Sequence, residues 1–128
     1  MSNSSNYTTF FGKNKTFIHV TPKRNIKSIL ENGIYQSEDG TWGEGVYCVE
    51  HWDKNSLLTI LNSELFTDNG YTLDDLTIIE FNYTGKYIVF IPQMRVYNKE
   101  RFILIKEPID KTMITNIKAS KDYLKHIN

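Results

Sequence analysis

The chain is short of the residues that staple, break or anchor a protein. Cys48 is the only cysteine in 128 residues, so no disulfide can close within the chain. A disulfide-built scaffold is excluded, and a reducing compartment is favoured. In Val46-Tyr47-Cys48-Val49 the thiol is expected to be a small buried strand residue rather than a nucleophile. No apolar run is long enough to cross a bilayer. Charge of one sign is lacking too, since 15 basic side chains face 15 acidic ones. No long-range field therefore draws the chain onto nucleic acid or an anionic membrane. Lys13, Lys15, Lys23, Arg24 and Lys27 are expected to be scattered, solvated charges. The opening Met1-Ser2-Asn3-Ser4-Ser5-Asn6 is polar and carries no basic-then-apolar leader pattern. The expectation is a soluble cytoplasmic protein whose residues 1–12 are frayed.

Chemical signatures are sparse as well. His19, His51 and His126 with one cysteine give no metal-ligand spacing, so no metal is expected. No Gly-x-Ser-x-Gly elbow, phosphate-loop Gly-Lys-Ser/Thr or dinucleotide fingerprint occurs. No internal repeat or low-complexity tract is present. What remains is enough for one packed domain over 1–128, with 40% hydrophobic and 13% aromatic residues.

The periodicity divides the chain in two. Thr16 to Val20 alternates as a first strand. Thr21-Pro22 offers a helix N-cap followed by proline at the first helical position. Ile26, Ile29 and Leu30 have helical spacing, and Asn32-Gly33 supplies the stop. Tyr35 to Gly45 reads as loop and Val46 to Val49 as a short strand. Asp53 caps a second helix predicted to run through Leu57, Leu61 and Leu65, ended by Thr67 to Gly70. From Leu76 the pattern turns β. Leu76–Phe81 and Lys86–Ile91 form a hairpin, Arg101–Lys106 and Met113–Ile117 are further strands, and Asp122–Ile127 is a terminal helical turn. The predicted class is α+β, with a mixed or antiparallel sheet pair packed by one or two helices. Trp52 is expected in the core, and Trp42 at a pocket or interface.

The order of features from Phe17 to Tyr47 resembles the core of the ADP-ribosyltransferase superfamily. A histidine ends an apolar run in Phe17-Ile18-His19-Val20-Thr21, a helix follows, and Gly43-Glu44-Gly45-Val46-Tyr47 delivers a tyrosine. The likeness is to the poly-ADP-ribose polymerase-like branch and the DNA- and RNA-directed branches. It covers about a quarter of the chain closely. It implies a small split β-sandwich that binds NAD. Breaking the nicotinamide–ribose bond passes through an oxocarbenium-like state, which needs an oriented ribose and a nearby carboxylate. By this resemblance His19 donates to a ribose hydroxyl, with Thr21 at the family's spacing and Asn25 where an accompanying asparagine stands. Gly45 lets backbone approach the ligand, and Tyr47 clamps the nicotinamide ring. Glu100, ahead of Arg101-Phe102-Ile103-Leu104-Ile105, supplies the carboxylate, one residue off the family's register. Glu107 and Gln93 are the alternates. Val20 stands where the polymerase-like branch often has glycine.

Each residue also has a plainer reading. His19 can cap a strand end, Asn25 can sit on the surface, Tyr47 can half-fill a strand face, and Glu100 can be a solvated loop residue. The function implied by the resemblance is NAD-dependent mono-ADP-ribosyl transfer to a macromolecular acceptor, in a toxin or a phage-borne modifier of a host protein. One rival is a non-catalytic domain of the same fold that grips a partner protein. Another is an RNA 2′-phosphotransferase-like enzyme, disfavoured by net neutrality and few arginines.

Overall fold

A computed structural model describes residues 5–10, 14–37, 44–92 and 100–126. The chain is α+β, and every strand pairing is antiparallel. In chain order the elements are β1 (Ser5–Phe10), β2 (Lys15–Pro22), α1 (Ile26–Asn32), β3 (Val46–Glu50), α2 (Lys54–Leu61) and α3 (Glu64–Thr67). Then come β4 (Leu76–Tyr83), β5 (Tyr87–Pro92), β6 (Phe102–Ile105), β7 (Ile114–Ala119) and α4 (Ser120–His126). The strand order is β1-β5-β6-β3-β2-β4-β7.

That row divides in the middle. β2 runs beside β4 over eight register pairs, from Lys15–Tyr83 to Pro22–Leu76. It meets β3 over only two, Phe17–Glu50 and Ile18–Val49. One half-sheet is therefore β1-β5-β6-β3 and the other β2-β4-β7. Side-chain alternation sorts the core into two clusters. Phe17, Val46, Cys48, Ile79, Phe81, Val89, Ile103 and Ile105 come from both halves and share one interior, which Ile29 of α1 also enters. Ile18, Val20, Val49, Ile78 and Phe102 face the other way, beneath Leu57 and Leu61 of α2, Phe66 of α3 and Tyr123 of α4.

The segment 1–12, read as frayed, contributes β1, whose backbone pairs with β5 from Ser5–Pro92 to Phe10–Tyr87. Strand β2 runs past the expected helix cap. Thr21 pairs with Thr77 and Pro22 with Leu76, which keeps both extended, so the helix begins after a 3-10 turn at Lys23–Asn25. Asn25, not Thr21, stands at the N-cap of α1. Asp53 caps α2 as expected, accepting from the Ser56 amide at 3.1 Å. The helix predicted to continue to Leu65 breaks at Asn62-Ser63. The Asn62 side chain donates to the Leu58 carbonyl at 2.9 Å, and Ser63 turns extended to start α3. Short polar side chains that compete for backbone partners favour such breaks. Trp52 is 56% exposed rather than in the core, and Leu30 and Leu65 are also exposed. Cys48 is buried, and burial together with the Glu50 charge raises its thiol pKa well above the ordinary value. Among the described residues no helix is long and apolar enough to cross a membrane.

Gly33 ends α1 with φ +83° and sits against the Ile109 backbone, where a Cβ would lie 2.2 Å from the carbonyl oxygen. Gly70 has a similar φ of +80° with open space around it. Gly33→Ala is expected to cost about 2 kcal/mol or more, from backbone strain plus forced displacement of the Ile34–Ile109 bridge. Gly70→Ala should cost about 1 kcal/mol from strain alone. Urea denaturation of the two variants checks the difference, and equal losses would refute the packing role of Gly33.

Candidate functional site

The two half-sheets part at His19. The ladder between β2 and β3 ends at Ile18–Val49. At the next position the imidazole crosses the gap, and His19 Nδ1 lies 2.8 Å from the Tyr47 carbonyl oxygen. A carbonyl only accepts, so Nδ1 carries the hydrogen and donates. Desolvation lowers the His19 pKa below its ordinary value of 6.5, and the bond to Tyr47 opposes this only in part. The ring is thus neutral at neutral pH. Its Nε2 then bears a lone pair and has no hydrogen-bond partner among the described residues. This reverses one expectation. Toward a ribose hydroxyl the ring would accept at Nε2, not donate.

Thr21 and Asn25 stand just beyond. Thr21 is buried, and its Oγ1 accepts from Asn25 Nδ2 at 3.0 Å. The pair ties the end of β2 to the start of α1, and this local bond accounts for the Asn25 amide nitrogen. Gly45 precedes β3 and bridges to Ser37. A Cβ there would lie 2.4 Å from Leu104 Cδ1 and 2.8 Å from the Ile105 carbonyl oxygen. Its smallness is thus required by β6 packing. Gly43 and Trp42 lie outside the described residues, as does the alternate Gln93.

Tyr47 is half-buried. Its register partner is Leu104 on β6, and alternation puts it on the face of Val49, Leu104 and Phe102. His19 leaves β2 on the Phe17 face, toward the shared interior. The structure therefore joins the His19 ring to the Tyr47 backbone, while the two side chains depart from opposite faces of their strands. The expectation that both rings line one cleft is corrected to that extent. The alternation that separates them is the register effect seen at every strand pair.

Glu100 lies two residues before β6, on the Tyr47 face. It is 3% exposed, and its Oε2 accepts a hydrogen bond from the Thr59 hydroxyl of α2. Along the strand it is displaced from Leu104, the partner of Tyr47, by four residues, about 13 Å. The solvated-loop reading of Glu100 is therefore wrong, and so is the picture of a carboxylate standing open beside His19. The next residue is fixed by the same helix. Arg101 N donates to Ser56 Oγ at 2.7 Å, and Ser56 Oγ donates to Asp53 Oδ2 at 2.7 Å. The alternate Glu107 accepts from the Tyr83 hydroxyl at the β4–β5 hairpin, where Tyr83 pairs with Lys15, four residues along β2 from His19.

Two open depressions of about 480 Å³ each lie elsewhere. Leu58, Thr59, Asn62, Ser63 and Glu64 line one, and the stretch Pro108–Lys111 with Glu31 and Asn32 lines the other. The first lies over Thr59, the partner of Glu100. No group of three or more His, Cys, Asp or Glu that could hold a metal occurs among the described residues. Searches of protein-family models, of curated proteins and of solved structures returned no match.

Sequence reasoning did not find Thr59 or Ser56. The spacing of Asp53 and Ser56 within one helix turn was a usable signal for the cap, but nothing local marks their contact with β6.

His19 binds its proton more weakly in the folded chain than in the unfolded one. Its contribution to stability is therefore intact above pH 6.5 and is lost as pH falls below that value toward the lowered folded pKa. Denaturation midpoints of the parent chain and of His19→Gln should diverge in that window. Nitrogen NMR should show the Nδ1–H tautomer, and an imidazole titrating at or above 6.5 would refute the assignment.

Ser56 is fully buried with its hydroxyl both donating and accepting. Ser56→Ala leaves the Arg101 amide without that acceptor and should cost about 1–3 kcal/mol. Chemical denaturation measures it, and a neutral change would show that α2 does not hold the start of β6.

Proposed function

We propose that the seam between β2 and β3 is a site for NAD and that the chain is an NAD-dependent mono-ADP-ribosyltransferase of split β-sandwich type. The observation that carries this reading is the His19 ring. It lies where the two half-sheets part, neutral, with its orientation fixed by the Tyr47 carbonyl. A ring held this way presents a fixed acceptor to a ribose hydroxyl. Tyr47 offers an aromatic face on the adjoining strand for a cationic nicotinamide. Glu100 stands on the Tyr47 face of β6, and its negative charge is what an oxocarbenium ribose needs. For that role the carboxylate must leave Thr59 and the segment before β6 must move with it, because about 13 Å of strand separates Glu100 from the register position of Tyr47. The acceptor proposed is a macromolecule, most simply a protein, and the setting of a toxin or phage-borne modifier rests on analogy.

A second reading is favoured by one specific observation. Glu100 is buried and engaged with Thr59 of α2. A domain that keeps this carboxylate as a structural tie would bind a nucleotide or a partner protein without turning it over.

Purified protein with NAD separates the two. Transferase activity predicts release of nicotinamide, and Glu100→Gln should slow it about a hundredfold or more while NAD affinity holds. Tyr47→Ala should weaken NAD binding by about 1–2 kcal/mol in calorimetric titration. Binding without nicotinamide release, with or without added protein acceptors, selects the non-catalytic reading. No binding at all discards the seam as an NAD site.

A further inference from the structure

The opposite end of β2 carries a separate charged group. Lys15 stands on the interior face of β2 with Phe17, and Glu50 is the register partner of Phe17 on β3. Lys15 Nζ reaches Glu50 Oε1 at 2.6 Å, and the Trp52 indole N–H donates to the same oxygen at 3.3 Å. The bond to Glu50 holds the Lys15 pKa above its ordinary value, and the charge of Arg101 is near enough to oppose it. The bonds of the Glu50 carboxylate thus go to Lys15 and Trp52. Arg101 Nε is buried and has no hydrogen-bond partner among the described residues. Among the described residues the guanidinium meets no carboxylate. A buried, charged donor without an acceptor is costly and rare in folded chains. Two residues beyond the Cys48–Ile103 pair, Glu50 falls opposite Arg101, and Glu50 in turn pairs with Phe17, two residues from Lys15. The guanidinium and the ammonium therefore share this corner, a pairing of cations that matches the oxygens of a phosphate. The exposed Trp52 ring stands at the same corner, pinned through Glu50.

We propose that Arg101 and Lys15 form a phosphate-binding site at this corner, with Trp52 at its rim, for a ligand bearing a phosphate ester or pyrophosphate. The site is distinct from the seam. Lys15 and His19 share a face of β2 but lie four residues apart, about 13 Å, and fully buried Phe17 stands between them. The inference does not depend on the NAD reading.

The probe is inorganic pyrophosphate, titrated into nitrogen-15-labelled full chain at constant ionic strength set with sodium chloride. The arginines are Arg24, Arg95 and Arg101, so the Arg101 Nε–H resonance is identified by its loss in Arg101→Lys. The expected result is a saturable shift of that resonance. Lys15→Gln should weaken binding about tenfold or more through loss of one charge-assisted contact. Lys15→Arg, which keeps both the charge and the Glu50 pair, should retain binding even if Lys15→Gln fails to fold. Glu50→Gln should tighten binding, since it removes the competing charge and leaves an oxygen for Trp52. Adenosine, which has no phosphate, should leave the resonance in place. A shift that never saturates, loss of binding in Lys15→Arg with an unchanged melting curve, or an equal response to adenosine would overturn the site.

Discussion

β2 and β3 are joined by two residue pairs, Phe17–Glu50 and Ile18–Val49, and the molecule is arranged on either side of that seam. Two pairs of ladder bonds cannot hold two half-sheets together on their own, given the modest net worth of a hydrogen bond in water. Burial does it instead. Phe17 on β2, Val46 on β3, Ile79 on β4, Val89 on β5 and Ile103 on β6 meet in one interior, so side chains from both halves exclude water in common. With cohesion supplied there, the backbone is free to diverge. Where the strands diverge, the Tyr47 carbonyl takes a side-chain donor. The His19 imidazole supplies it, so a polar ring stands where a regular sheet would have a peptide N–H.

The second constraint runs through α2. Asp53 caps the helix, Ser56 donates to the Asp53 carboxylate from its amide and hydroxyl while that hydroxyl accepts from the Arg101 amide, and Thr59 one turn on donates to Glu100. One face of a short helix thereby fixes the chain just before β6. The consequence falls on two neighbouring side chains that strand alternation sends apart. Glu100 goes to the helix-covered face, and Arg101 goes to the interior face near Lys15. The bond from the Arg101 amide to Ser56 adds to the pairing of β6 with β3 and β5 that fixes this register.

Much of this fold was legible in the sequence because the signals are local. Alternation marks β2, apolar β-forming runs mark β4 and β6, Asp53 marks the start of α2, and Gly33 marks the end of α1. What escaped depends on partners distant in the chain. β1 is polar and became a strand through pairing with β5. Gly45 suggested close approach of a ligand, and its neighbour is Leu104. Trp52 looked like core by hydrophobicity, but a turn places it outside and its N–H goes to Glu50. At the site, His19 and Tyr47 were picked out by pattern. Their opposite faces could be known only once the pairing of Ile18 with Val49 fixed the register. Burial of Glu100 required knowing that Thr59 packs over it.

On the NAD reading proposed above, the chemistry turns on which face of β3 and β6 the ligand uses. Tyr47 and Glu100 belong to the face beneath α2, whereas His19 and Glu50 belong to the interior face. The carboxylates nearest the Tyr47 and His19 positions are already engaged, Glu100 with Thr59 and Glu50 with Lys15 and Trp52. Glu50 is the poorer candidate for ribose chemistry, because an ammonium at 2.6 Å already neutralises it. Glu100 receives a neutral hydroxyl, which orients the carboxylate without cancelling its charge. A ligand that meets both the His19 ring and the Tyr47 face must therefore lie across the seam, where the ladder has ended and the two faces are no longer divided by paired backbone.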